Sequence, residues 1–130
     1  MQPGFKWLNK QIVLAIHNQQ IVEHSGSPGL LNPGLLESSL ASPLDIYNYE
    51  ENPSVFDLAA AYGFSLVKNH AFFDGNKRVA FMSMFVFLKI NGFLLDAPEE
   101  EATLFMLRLA ESKESQKSLT QWLEKFSIGV

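Results

Sequence analysis

The chain contains no cysteine among its 130 residues. A disulfide framework and a thiolate metal site are both excluded, and a reducing compartment is the simplest fit. Charge is also scarce: Asp, Glu, Lys and Arg make up 18% of the residues, and the net charge is -4. Nothing here supplies the basic stripe that displaces counterions, so nucleic-acid binding by this chain alone is not expected. Long apolar runs are missing too. The longest, residues 79–88, stops at Lys89, well short of the ~20 residues that span a bilayer. Residues 1–7 lack the apolar stretch and small-residue cleavage site of a secretory leader. The expectation is a cytoplasmic protein with no membrane partner. A hydrophobic fraction of 47% argues against disorder. The length suits one domain, residues 1–130, with a buried core.

Leu8, Ile12, Ala15 and Ile16 recur at helical spacing and predict a first helix that ends near Ser25-Gly26. Ser27-Pro28-Gly29 and Asn32-Pro33-Gly34 mark turns. Residues 35–40 read as a brief helix with Pro33 near its start. Residues 42–53, interrupted by Pro43 and Pro53, read as an ordered loop or short hairpin. Ser54, with Asp57 three positions on, predicts the start of a helix over 54–69. The next helix begins at Gly75 or Asn76 and stops at Asn91-Gly92. It is apolar on nearly every side, which predicts a place in the middle of the fold. Pro98 opens a further helix. Ser118 is expected to cap a last one, with Leu119, Trp122, Leu123 and Phe126 on its buried side. The fold class expected is all-α: five to six helices around a central buried helix, with a loop of unusual composition at that helix's N-terminus.

That loop reads Asn69-His70-Ala71-Phe72-Phe73-Asp74-Gly75-Asn76-Lys77-Arg78. A helix N-terminus carries unpaired N–H groups and the positive end of the dipole, and so attracts anions. Gly75 allows a turn that other residues resist and leaves room for phosphate oxygens. Asn76 can donate its amide to a phosphate. Lys77 and Arg78 add cations, which the dipole disfavours at this end unless an anion joins them. Asp74 is suited to Mg²⁺, an ion often held by one or two carboxylates together with phosphate oxygens. His70, with a reference pKa near neutrality, can take a proton from an attacking hydroxyl. Phe72 is expected to point into the core. Direct transfer from a nucleotide to a hydroxyl is the reaction class that fits. The glycine spacing rules out a P-loop. His17 and His24, seven apart, read as structural or solvent-exposed rather than as a metal pair.

Residues 70–78 resemble the motif of the Fic/Doc superfamily, His-Pro-Phe-x-(Asp/Glu)-Gly-Asn-Gly-Arg. Two positions depart from it: Ala71 replaces Pro and Lys77 replaces the second Gly. Lysine there is the form of the Doc (death-on-curing) branch. Ala59-Ala60-Ala61-Tyr62 and Leu66-Val67-Lys68-Asn69 before the motif, Phe87-Leu88 and Asn91-Gly92 after it, the Gly26 to Gly34 loop and the helix with His17 extend the resemblance to about residues 10–125. Fic enzymes move the AMP part of ATP onto a protein hydroxyl. Doc toxins bind the nucleotide reversed and transfer the γ-phosphate to a threonine of elongation factor Tu, which stops translation. The resemblance implies a Fic-like fold, ATP as substrate and Mg²⁺ as cofactor. It implies His70 as general base, Asp74 as Mg²⁺ ligand, and Gly75, Asn76, Lys77 and Arg78 as phosphate binders. It also implies a cognate antitoxin whose C-terminal segment folds onto the toxin as a helix. The inhibitory helix of many Fic proteins has its nearest match at Thr120-Gln121-Trp122-Leu123-Glu124-Lys125, which fails at Lys125 and reads as part of the last core helix. Two other functions stand beside the kinase: AMP transfer from the same site, and a noncatalytic module that only holds a nucleotide or partner.

Overall fold

The computed structural model describes residues 4–130. Met1, Gln2 and Pro3, the start of the segment read above as lacking a leader's features, lie outside the described residues. Six helices form among the described residues: α1 Lys10–His24, α2 Pro33–Tyr49, α3 Val55–Asn69, α4 Asn76–Ile90, α5 Glu99–Ala110 and α6 Gln116–Lys125. An antiparallel pair, β1 Phe93–Leu95 with β2 Ser127–Gly129, in which Leu94 faces Ile128, is the only sheet among the described residues. Among the described residues the fold is therefore all-α apart from this pair, and the ordered loop or short hairpin expected over 42–53 contributes no strand.

Local chemistry accounts for most of the boundaries. Asn9 caps α1 by accepting from the Ile12 N–H, and Asn32 caps α2 by accepting from the Leu35 N–H, with Pro33 in its first turn. Ser54 and Asp57 form a reciprocal capping box at the start of α3. Ser115 and Ser118 make the equivalent box for α6. The last helix is thus capped by Ser115, three residues before the serine expected. Ser118 is the partner in that box.

The largest departure is α2, which continues through Pro43 to Tyr49 where an ordered loop was expected. Proline removes one intrahelical hydrogen bond but does not by itself end a helix whose face is well buried. Leu36, Ser39 and Pro43 are buried, and Leu40 and Ile46 pack on the core from the same side. This is a helical spacing that the two prolines obscure.

α3 is the most enclosed helix. Eleven of its fifteen residues are buried, against seven of fifteen in α4. α3 packs against α2, α4, α5 and α6. α4 is buried through Val79, Ala80, Ser83, Met84, Phe87 and Leu88, while Phe81, Met82, Phe85 and Val86 are half-exposed. Its greasy outer side therefore borders a groove. The close crossing of α3 and α4 depends on Gly63, where a Cβ would overlap the Met84 side chain. The N-terminal segment is pinned across the bundle. The Leu8 N–H donates to the buried Tyr62 hydroxyl at 3.0 Å, and that hydroxyl lies 3.3 Å from the Leu8 carbonyl. The loop that joins the two central helices carries residues 70–75.

Candidate active site

α3 ends at Asn69, and His70 follows in the left-handed region with φ 50° and ψ 53°. The Asn69 amide donates to the fully buried Ser39 hydroxyl of α2 at 2.8 Å, and that hydroxyl donates to the Leu35 carbonyl at 2.8 Å. The end of α3 is thereby tied to α2. The turn at His70 sends Ala71 and Phe72 inward, both buried, and leaves the imidazole exposed.

Residues 71–73 run beside the loop that joins α1 to α2. The Ala71 carbonyl accepts from the Leu31 N–H at 2.8 Å and the Asn32 N–H at 3.0 Å. The Phe73 N–H donates to the Gly29 carbonyl at 3.3 Å, and Leu30 and Phe72 form an isolated antiparallel bridge. Phe72 is buried as expected, and Phe73 is exposed.

Asp74 is exposed and its carboxylate is preset by backbone donors. One oxygen accepts from the Gly75 N–H at 2.8 Å and the other from the Ser27 N–H at 3.2 Å. The Ser27 and Gly75 N–H groups, with Arg78 and His17 nearby, hold the Asp74 carboxyl below the usual carboxylate range against a smaller opposing effect of desolvation. A side chain on Gly26 would bring its Cβ within 2.7 Å of this carboxylate, and Gly26 has φ +126°, so glycine lets the loop come this close.

Gly75, at φ 76° and ψ 20°, opens α4 without a side-chain cap. Its carbonyl accepts the first helical bond, from the Val79 N–H at 2.9 Å. The N–H groups of Asn76, Lys77 and Arg78 have no carbonyl one turn back to receive them, which is the usual state of a first helical turn. Lys77 is exposed. Arg78 is half-exposed, with Nη2 donating to the Ser25 carbonyl at 3.3 Å.

Asn76 differs from the expectation. Its side chain is buried, with Oδ1 accepting from the Phe72 N–H at 3.1 Å and Nδ2 donating to the Phe72 carbonyl at 3.0 Å. The amide expected to reach an anion is occupied in shaping the loop. What Asn76 leaves at the helix tip is its backbone N–H.

Lys77 and Arg78 also line one end of an open groove of about 460 Å³, walled by Phe81, Met82 and Phe85 of α4 and by Met106 of α5. A larger hollow of about 700 Å³ lies among Ile46, Asp57 and Thr120 and includes no motif residue. Among the described residues no three His, Asp or Glu side chains converge on a common point. His24 is exposed beside Glu23, whereas His17 is buried and bonded to the Asp74 carbonyl.

A model of the Fic/DOC family matches residues 7–88, more than half of the chain. The chain belongs to the Fic/DOC family. It is similar to the protein named Protein kinase doc of Escherichia phage P1, 32% identical over 93 residues that cover 71% of this chain and 74% of that protein. It is also similar to Toxin Doc of Mycolicibacterium smegmatis, 45% identical over 65 residues that cover 49% of this chain and 50% of that toxin. Within this Fic/DOC chain, the sequence shows the contiguous residues 70–78 plainly but not which atoms from elsewhere meet them. His17 reads as structural from the sequence and its bond to the Asp74 carbonyl agrees, and the Gly26–Gly34 loop belongs to the resemblance, but Ser39 and the particular atoms the loop meets leave no local mark. No helix among the described residues is long and apolar enough to cross a membrane.

Proposed function

We propose that this chain is a Doc-like protein kinase, a toxin that transfers the γ-phosphate of ATP to a serine or threonine hydroxyl of a protein, with elongation factor Tu as the acceptor the resemblance suggests. One observation carries the reading. The uncapped N-terminus of α4 offers free N–H groups and two cations, and an exposed imidazole and a preset carboxylate stand in the loop that leads into it.

In this reading the first-turn N–H groups of α4, with Lys77 and Arg78, bind the phosphates. Gly75 keeps the approach open. Asn76 holds the loop in shape. The Asp74 carboxylate fits a role on Mg²⁺, since the Ser27 and Gly75 N–H groups hold it in place and its exposure leaves lone pairs free. Among the described residues no three His, Asp or Glu side chains converge, so phosphate oxygens and water would complete the shell. Bound Mg²⁺ would neutralise charge on the transferring group. His70 takes the proton of the acceptor hydroxyl as the oxygen attacks the γ-phosphorus and ADP leaves. Lys77, exposed on the first turn, fills space that a glycine would leave to a phosphate, which favours γ-transfer over transfer of AMP. The groove beside Lys77 and Arg78 suits an amphipathic helix with apolar anchors and an acidic end, the form expected of the antitoxin's C-terminal segment. A cytoplasmic site of action accords with a chain that carries no cysteine.

The test uses ATP labelled separately on the γ-phosphate and on the adenylate, incubated with a bacterial extract. γ-Label on an acceptor protein is expected. Adenylate on protein would instead establish the AMP-transferase alternative. Loss of transfer in His70→Ala is expected, and unchanged transfer would favour the noncatalytic alternative. Lys77→Gly should weaken γ-transfer, and undiminished γ-transfer would overturn the role given to Lys77.

A further inference from the structure

The loop between α1 and α2 meets the motif at two of its charged side chains. The Ser25 carbonyl accepts from Arg78 at 3.3 Å, and the Ser27 N–H donates to the Asp74 carboxylate at 3.2 Å. Both serines are exposed, but their hydroxyls differ. The Ser25 hydroxyl donates to the His24 carbonyl at 2.6 Å, and its backbone sits at φ 59°. The Ser27 hydroxyl has no hydrogen-bond partner among the described residues. The loop is not free to swing away, because Gly29, Leu31 and Asn32 are bonded to Ala71 and Phe73 of the motif. Gly26 has no side chain to hold the Ser27 backbone off Asp74. An exposed hydroxyl without a protein partner thus belongs to the same residue whose backbone N–H bonds the carboxylate that the preceding reading assigns to the metal.

We propose that Ser27 is an acceptor in cis. Without a protein acceptor, the site phosphorylates its own Ser27, and the product shuts the site. This rests on the phosphotransfer reading. The Ser27 oxygen bonds to the γ-phosphorus of ATP, the bond from that phosphorus to the β-phosphate oxygen breaks, ADP leaves, and the hydroxyl proton passes to His70. A phosphoserine brings a charge of about -1.5 to -2 and three acceptor oxygens. Placed at Ser27, it repels Asp74, competes for Arg78 and disfavours the next triphosphate.

The purified full chain is incubated with γ-labelled ATP and Mg²⁺, and its peptides are mapped by mass spectrometry. Phosphate is expected on Ser27, with a first-order rate independent of protein concentration. It should be absent in Ser27→Ala and His70→Ala and present on the threonine of Ser27→Thr. Pre-incubation with ATP should lower later transfer to extract proteins at least several-fold in the wild type. The ratio of transfer with and without pre-incubation should stay near one in Ser27→Ala. Phosphate on an extract protein but none on Ser27 overturns the proposal and leaves the kinase reading standing. So does phosphate on Ser25 alone, or a Ser27 rate that rises with protein concentration. Transfer to neither acceptor, or adenylate on Ser27, overturns both.

Discussion

The ring of His17 lies on the ring of Phe72, with centroids 3.9 Å apart and planes 14° from parallel, and its Nε2 donates to the Asp74 carbonyl at 2.7 Å. One side chain of α1 therefore braces two residues of the motif that lie more than fifty positions away. Because a carbonyl only accepts, Nε2 carries the proton. The brace fixes the peptide between Asp74 and Gly75, and with it the tip of α4.

Removing the donor while keeping an apolar body isolates this effect. His17→Leu should destabilise the fold by ~1 kcal/mol, the typical net worth of a part-buried hydrogen bond. Urea denaturation at equilibrium gives the value. Transfer activity should fall as well, since the Asp74–Gly75 turn loosens. A variant within ~0.5 kcal/mol of wild type would show that the hydrogen bond holds nothing.

The Asp74 carboxylate makes a pH prediction. Its pKa is lowered chiefly by the Ser27 N–H, then by the Gly75 N–H, with Arg78 and His17 adding to them. A depressed native pKa means that the unfolded chain binds this proton more readily. Its contribution to stability is complete above the unfolded carboxyl pKa and is lost as pH falls through the native one. Carbon-detected NMR of the Asp74 carboxyl should show a lower titration midpoint than the same residue in a peptide spanning 70–80. Ser27→Pro, which deletes the first donor, should raise the midpoint more than Arg78→Gln does. Equal midpoints in protein and peptide would remove the electrostatic account of this residue.

How far these features can be read from sequence depends on how local their causes are. The starts of α3 and α4 are legible because Ser54 with Asp57, and Gly75 before an apolar run, act within one turn. The second half of α2 is hidden because its stability comes from packing on α3, and Pro43 masks the spacing. The residues of the motif announce themselves because they are contiguous. Ser27 and His17 do not, since they meet Asp74 from 47 and 57 positions away. Asn76 shows the opposite limit. Its position is legible, but which way its amide turns is decided by the buried Phe72 backbone.

That amide gives a third prediction. Asn76→Ala leaves the Phe72 N–H and carbonyl buried without their side-chain partner, at a cost of ~1–3 kcal/mol. Asn76→Asp keeps an acceptor for the N–H but sets a carboxylate against the carbonyl, so it should recover little of the loss. Thermal unfolding of the two variants checks both statements. If the alanine variant keeps wild-type stability but loses nucleotide affinity, the amide reaches the ligand after all.

His70 separates stability from chemistry. It holds φ 50° and ψ 53° at the end of α3, a conformation that costs an L-residue roughly 1–2 kcal/mol and a glycine little. The imidazole is exposed and packs against nothing that its loss would empty. His70→Gly should therefore be at least as stable as wild type, with a gain of up to ~1 kcal/mol. His70→Ala should be the less stable of the two variants, because alanine keeps the strain. Both should lose transfer if His70 is the base. A stability gain with lost activity is what a residue kept for chemistry at the expense of the backbone produces. Equal stability of the glycine and alanine variants in urea would show that the turn carries no strain. Full transfer by the glycine variant would mean that the proton goes elsewhere.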